Sequence, residues 1–392
     1  MRVGFILLAL AYVLSQFFRA FLAVLGGVLG RDIGAMPEDL ALASGLWFVS
    51  FALAQLPVGW ALDRIGPRLT ASVPLVLGCG GGAVIFAIAS SAVHVNIAMV
   101  LIGVGCSPVL MAAYYIFARQ FPAAHFATLG ALMLGVGSLG NLVASYPMAL
   151  AAETFGWRAS LWGLAAIAIL LGVGLALSVR DPAPVEGGAR GSLLDLLKIR
   201  ALWPILPLMF VGYTPSAAIR GLWMGPYLTD IFALDTGQVG QATLVMGVAM
   251  ICGTFLYGPM DRIFGTRKWV CFIGAFCGVV LTLTLAAVVG HNVILSIALC
   301  AGIGLCGASF PVIIAHGCSF LPAHLAGRGV TLMNLFVIGG VGVMQFASGP
   351  LHGTIAAQSG AEAAYTTLFT FFGLTLLVGV VIYFFSRDQA RV

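Results

Sequence analysis

The sequence predicts an all-α membrane protein of twelve transmembrane helices, arranged as two pseudo-symmetric six-helix bundles. Three observations predict it: an apolar composition, twelve stretches of spanning length, and a repeat that relates the two halves. Hydrophobic residues make up 61% of the 392 and charged residues only 8%, and the mean hydropathy is +1.09. A soluble domain carries roughly 25% charged residues, so this chain cannot build a water-exposed surface. Its 51 glycines suit close helix packing in lipid. The alternating pattern of a membrane β-barrel is absent, and backbone groups in lipid must be satisfied internally, so the long apolar runs are helices.

About 20 predominantly apolar residues span a bilayer as a helix. Helix 1 is expected at 4–29; it is too long for a signal peptide, contains Arg19, lacks a convincing small-x-small cleavage site, and is read as a retained span. Helix 2 (41–62) runs into Asp63-Arg64, helix 3 covers 70–91, and helix 4 (95–118) ends before Arg119. Helix 5 (126–150) contains Ala144-Ser145-x-Pro147, and helix 6 (159–178) comes after Gly156-Trp157-Arg158. The polar segment 180–202, with Pro, Gly and four basic residues, reads as a cytoplasmic linker. It separates an N-terminal bundle, 1–179, from a C-terminal bundle, 203–392. Helices 7 to 12 are expected at 203–228, 239–260, 270–289, 293–317, 329–350 and 364–385.

Charge sets the orientation. Of the 18 Lys and Arg residues, fourteen lie at the termini or in alternate loops, while Arg31 and Arg158 fall on the opposite side. The positive-inside rule then puts both termini in the cytoplasm, with the chain multi-pass in a bacterial-type inner membrane. The net charge of +5 reflects that topology and not nucleic-acid binding. The eight cysteines form no CxxC pair and read as small packing residues.

Self-comparison reveals the repeat. Tyr12-x-x-Ser15-x-x-x-Arg19 returns as Tyr213-x-x-Ser216-x-x-x-Arg220, and Asp63-Arg64-Ile65 as Asp261-Arg262-Ile263. Phe121-Pro122-Ala123 is echoed by Leu321-Pro322-Ala323, and Ala144-Ser145-x-Pro147 by Ala347-Ser348-x-Pro350. Four echoes in one order describe parallel repeats, for which a solute site near the bilayer midplane is expected.

Gly59-x-x-x-Asp63-Arg64-x-Gly66-x-Arg68 resembles the loop between helices 2 and 3 of the major facilitator superfamily, with a degenerate copy at Gly258–Lys268. Gly156-Trp157-Arg158 before helix 6 is also similar to that family. The resemblance implies the major facilitator fold, a transporter working by alternating access, and no enzymatic reaction. It also implies a gating latch of Asp63, Arg64, Arg68, Asp261 and Arg262. Two features depart from the pattern: Met99 stands where a helix-4 arginine is expected, and the Gly135–Gly140 stretch lacks the Gly-Pro signature of many drug–proton antiporters.

The sharpest signal is a pair of intramembrane arginines. Arg19 lies about 22 Å into helix 1 and Arg220 about 25 Å into helix 7, at 1.5 Å per residue. Such a residue costs at least ~2.5 kcal/mol and normally faces a watery cavity or a partner. All 13 acidic residues fall in loops or at helix ends, so the sequence offers neither arginine a mid-membrane carboxylate. Guanidinium groups suit an anionic or electron-rich solute. Helical spacing gives them neighbours: Tyr12, Ser15 and Gln16 on helix 1, and Tyr213, Ser216, Trp223 and Tyr227 on helix 7. Tyr227, near the outer end, fits an interfacial anchor. The six histidines are expected near helix ends or in loops, which leaves the coupling ion open.

The cargo expected is a small polar organic solute: a carboxylate, an organic phosphate or a riboflavin-like molecule. Pro57-x-Gly59 and Gly221-Leu-Trp-x-Gly-Pro-Tyr227 resemble the CcoA-like branch of the superfamily, which holds a copper importer and a riboflavin importer. Met246 and Met250 are the candidate soft metal ligands, but a cation beside two arginines is self-defeating, so no metal site and no cofactor are expected. A non-transporting receptor or scaffold is the rival class. The carrier is expected to act as a monomer in the lipid bilayer.

Overall fold

The computed structural model describes residues 2–121, 123–182, 198–321 and 326–388. Most of the expected linker lies outside them, as do Pro122, Arg190, Pro322, Ala323, His324 and Arg391. The described residues contain helices and turns and no strand. Ten helices are long and apolar enough to span, and two bent pairs bring the spans to twelve.

The spans are α1 (Val3–Phe17 with Leu22–Ile33), α2 (Pro37–Arg64), α3 (Pro67–Ala87), α4 (Ala92–Phe117), α5 (Leu132–Val143 with Tyr146–Phe155) and α6 (Trp157–Ser178). The later ones are α7 (Arg200–Phe232), α8 (Thr236–Ile263), α9 (Lys268–Ala287), α10 (Val293–Cys318), α11 (Leu332–Ser359) and α12 (Ala361–Phe384). The chain forms two compact units, Met1–Glu186 with Asp235–Gln241, and Gly187–Leu234 with Ala242–Val392.

In the first unit, α1 bends by 54° at residues 18–21. There the amides of Arg19 and Ala20 bond to the carbonyls of Gln16 and Phe17, three residues back, so the backbone tightens for one turn. The rings of Phe17, Phe18 and Phe21 pack on one another around the bend. Glycine lets α5 approach: a Cβ on Gly140 would lie 1.9 Å from the Val13 carbonyl oxygen. The second unit repeats the device, where a Cβ on Gly340 would lie 1.9 Å from the Phe210 carbonyl oxygen. Small residues at these crossings let backbones touch where lipid offers no hydrophobic drive.

Gly156-Trp157-Arg158 has a local structural role. The Trp157 indole donates to Asp32 at 2.7 Å, and the Arg158 guanidinium donates to the carbonyls of Ala87 and Ala89 at 3.0 and 2.8 Å. Arg158 therefore caps the C-terminal end of α3, where unsatisfied carbonyls favour a cation.

The helix that forms α11, expected to stop at 350, runs from Ala326 to Ser359. Pro350 does not end it, because proline removes one donor and does not forbid continuation when the helix is packed on its neighbours. His352 is thus carried inside a span, 3% exposed, which corrects the expectation that every histidine lies near a helix end or in a loop. Cys79 and Cys106 belong to the packing, buried with their sulfurs 3.8 Å apart.

Candidate functional site

In the first unit, Tyr12, Ser15 and Gln16 project from the straight part of α1, and Arg19 sits within the bend. Tyr12 fits because α5 carries Gly137, whose Cβ would lie 2.2 Å from the phenol ring. The Arg19 guanidinium lies 5.4 Å from the centre of the Trp47 ring and 4.9 Å from that of Phe51, both on α2. Those rings stack 5.0 Å apart at 21°, forming an electron-rich wall for the cation. The Nε of Arg19, the Oγ of Ser15, the Oε1 of Gln16 and the indole nitrogen of Trp47 are buried without a hydrogen bond. Each buried polar atom left unmade costs ~1–3 kcal/mol. Four of them at neighbouring positions ask for a partner the folded chain does not supply.

The second unit places the related residues on an irregular α7. Tyr213 stands at a bend, its ring 4.6 Å from that of Phe310. Ser216 is buried against Gly307, and its hydroxyl makes no hydrogen bond. Arg220, 3% exposed, lies in a π-helical turn, Ile219–Trp223. Such turns favour functional sites, and the extra residue rotates the remainder of the helix by about 100°. The common face expected for Arg220, Trp223 and Tyr227 is broken there.

Trp223 is fully buried, and its indole donates to the Oε1 of Gln345 and the Oγ of Ser348, each at 3.0 Å. Tyr227 is also fully buried, its hydroxyl 2.8 Å from that of Ser296 and its ring 5.2 Å from Tyr365. Tyr227 is therefore a core residue and not the interfacial anchor expected from its place near the helix end. Tertiary packing from α10 and α12 covers it.

At the loop between α2 and α3, Asp63, Arg64 and Arg68 are exposed. The Arg68 amide donates to the Asp181 carboxylate at 2.8 Å. Gly66 has φ +95°, and a Cβ there would lie 2.5 Å from Asp181 Oδ1, so glycine is required for both conformation and space. At the second loop, buried Asp261 pairs with the Nε of Arg267 at 3.2 Å, while Arg262 is exposed. Arg267 also donates to the Ala315 carbonyl, and Asp388 accepts from the Thr266 hydroxyl and the Lys268 amide. Asp181 and Asp388 were not singled out from sequence, although Arg180-Asp181 and Arg387-Asp388 recur at the end of each half. Trp47, Phe51, Gln345 and His352 lacked a motif and were also missed, and Ser348 was marked only by the Ala347-Ser348-x-Pro350 repeat. Met246 and Met250, the weak metal candidates, pack against α10 at Gly304, whose Cβ would lie 3.1 and 2.9 Å from their Cγ atoms. The described residues hold no group of three His, Cys, Asp or Glu side chains placed to bind a metal.

The family model of the Major Facilitator Superfamily matches residues 8–344. A protein of Escherichia coli (strain K12) named as an L-galactonate transporter is 23% identical over 310 residues, covering 71% of this chain and 67% of its own. A protein of Agrobacterium vitis named as a tartrate transporter is 23% identical over 393 residues, covering 92% and 87%. Among solved structures, a bacterial homologue of the human lysosomal transporter Spinster matches with a TM-score of 0.79 at 14% identity, over 98% of this chain and 96% of that one. A D-xylose–proton symporter matches with a TM-score of 0.76 at 14% identity, over 95% and 96%.

Proposed function

This chain belongs to the major facilitator superfamily, and on that premise we propose that it carries a small hydroxylated carboxylate across a bacterial inner membrane by alternating access. The observation that carries this reading is the Arg19 cluster, in which the Nε of a half-buried guanidinium and three other polar atoms are buried with hydrogen-bonding capacity unspent. A carboxylate accepts two parallel bonds from the planar fork of an arginine. Hydroxyl groups on the same solute would take up Ser15, Gln16 and the Trp47 indole, with the carbon skeleton against Trp47 and Phe51. Arg220, its counterpart in the repeat, is the second candidate grip, with Tyr12, Tyr213, Ser216 and Trp223 as supporting residues. The names of the two curated relatives, for L-galactonate and tartrate, support a solute of this kind. Copper fits poorly beside the arginines, and Met246 and Met250 have a packing role.

The distribution of basic residues supports cytoplasmic termini, with Asp63, Arg64, Arg68, Asp261 and Arg262 as the latch of a monomeric carrier. Uptake of labelled L-galactonate and tartrate into liposomes holding the purified protein tests the cargo. A thermal-shift series with carboxylates, organic phosphates, riboflavin and Cu(I) ranks the alternatives. Saturable uptake that disappears in Arg19→Ala is expected. Normal uptake by Arg19→Ala, or stabilisation by riboflavin or Cu(I) alone, would overturn the reading.

A further inference from the structure

The second unit buries an imidazole that the carboxylate site does not use. His352 lies on α11 at 3% exposure, and neither ring nitrogen has a hydrogen-bond partner. A neutral imidazole carries one donor and one acceptor, and burying both unmatched costs ~1–3 kcal/mol each. An apolar side chain in its place would avoid that cost, so packing does not account for the residue.

Its surroundings suit a cation. The Trp223 ring lies 4.9 Å away at 43°, and the Tyr365 ring 4.7 Å away at 57°. A cation within about 6 Å of aromatic faces is held by their quadrupoles. Both rings are fixed: the Trp223 indole is anchored on Gln345 and Ser348, and the Tyr365 hydroxyl donates to Asp230 at 2.6 Å. Asp230 is exposed at the end of α7, and its charge interacts with His352. Helix α11 packs on α7, α10 and α12. The charged and titratable groups from residue 220 to the end of α7 are Arg220, Tyr227 and Asp230, and those in the first turns of α12 are Glu362 and Tyr365. Towards the other end of α10, His316 is engaged by Tyr383 and by the Arg387 carbonyl.

We propose that His352 is the site at which this carrier binds its coupling proton, held as imidazolium between Trp223 and Tyr365 with Asp230 as counter-charge. The inference rests on the transport reading above and adds the ion that drives it. The unprotonated ring nitrogen takes a proton from water at the Asp230 end, and the same N–H bond breaks when the proton is returned to water on the other side. Trp223 stands three residues beyond Arg220 on one helical turn, so a charge on His352 acts on the turn that positions Arg220. One proton entering with one carboxylate cancels its charge.

Two measurements decide it. Liposomes holding wild-type protein or His352→Phe are loaded with or without an inward proton gradient, and uptake of labelled L-galactonate or tartrate is compared as a ratio. The wild-type ratio should exceed about tenfold and fall to about one in the variant. Should His352→Phe lower both arms while keeping the wild-type ratio, the residue is structural and the proposal fails. A wild-type ratio of one sinks proton coupling but leaves the carboxylate reading standing. The second measurement needs no cargo: a proton-uptake titration of the solubilised protein between about pH 8 and pH 5, where imidazole changes charge. His352→Phe and His352→Gln should each take up one proton fewer per molecule than wild type. An unchanged count overturns the proposal whatever the carrier transports.

Discussion

In the reading proposed above, a single half-buried guanidinium sets the chemistry of the first unit. Arg19 is held against Trp47 and Phe51 with its Nε unbonded, which leaves hydrogen-bonding capacity for the solute proposed above. Replacing it by lysine keeps the charge but removes the fork. The charge-assisted bonds lost are worth ~1.5–3 kcal/mol, which at 1.4 kcal/mol per decade lowers affinity by about 10- to 100-fold; isothermal titration with the transported carboxylate reads this directly. His352 makes the opposite trade. Since its two ring nitrogens are unsatisfied, His352→Phe should melt no lower than wild type in a thermal-shift assay while losing its response to a proton gradient. Destabilised polar groups at working sites commonly trade stability for activity.

Helix crossings carry the fold at the scale of the element. Gly140 has the Val13 carbonyl where its Cβ would be, whereas Gly135, on the same helix, has nothing within 4 Å. Gly140→Leu should therefore abolish the folded, monodisperse protein on size-exclusion chromatography, and Gly135→Leu should leave it unchanged. Gly340→Leu, at the repeat-related crossing with Phe210, should behave as Gly140→Leu does. The bend of α1 and the π-turn of α7 belong to this scale as well. Both put an arginine where the regular helical ladder is interrupted, and backbone irregularity inside a membrane is tolerated where protein surrounds it.

At the scale of the whole molecule, the two loops of the repeat have diverged in how their carboxylates are held. Asp63 is exposed, and Asp261 is buried against Arg267. An exposed carboxylate that works as a latch should act on rate. Asp63→Asn is expected to change turnover several-fold with little effect on substrate affinity, measured by transport kinetics against equilibrium binding; unchanged turnover would remove the latch role. Asp261→Asn leaves the Arg267 guanidinium partly buried with its ion pair broken, so lower thermal stability is expected as well.

The amino-acid sequence determined the membrane class, the number of spans, the internal repeat and the two intramembrane arginines. All of these come from local hydropathy, charge and spacing, which tertiary contacts do not alter. What the sequence left undecided were contacts between residues distant along the chain. Trp47 and Phe51 of α2 meet Arg19 at the bend of α1, and Tyr227 is core because α10 and α12 cover it. His352 lies beyond a proline that reads as a helix end, and the aromatic rings that enclose it come from two other helices. Periodicity along one helix reports which residues share a face. Which groups on that face are left without a partner depends on the packing of its neighbours, and that is settled only in three dimensions.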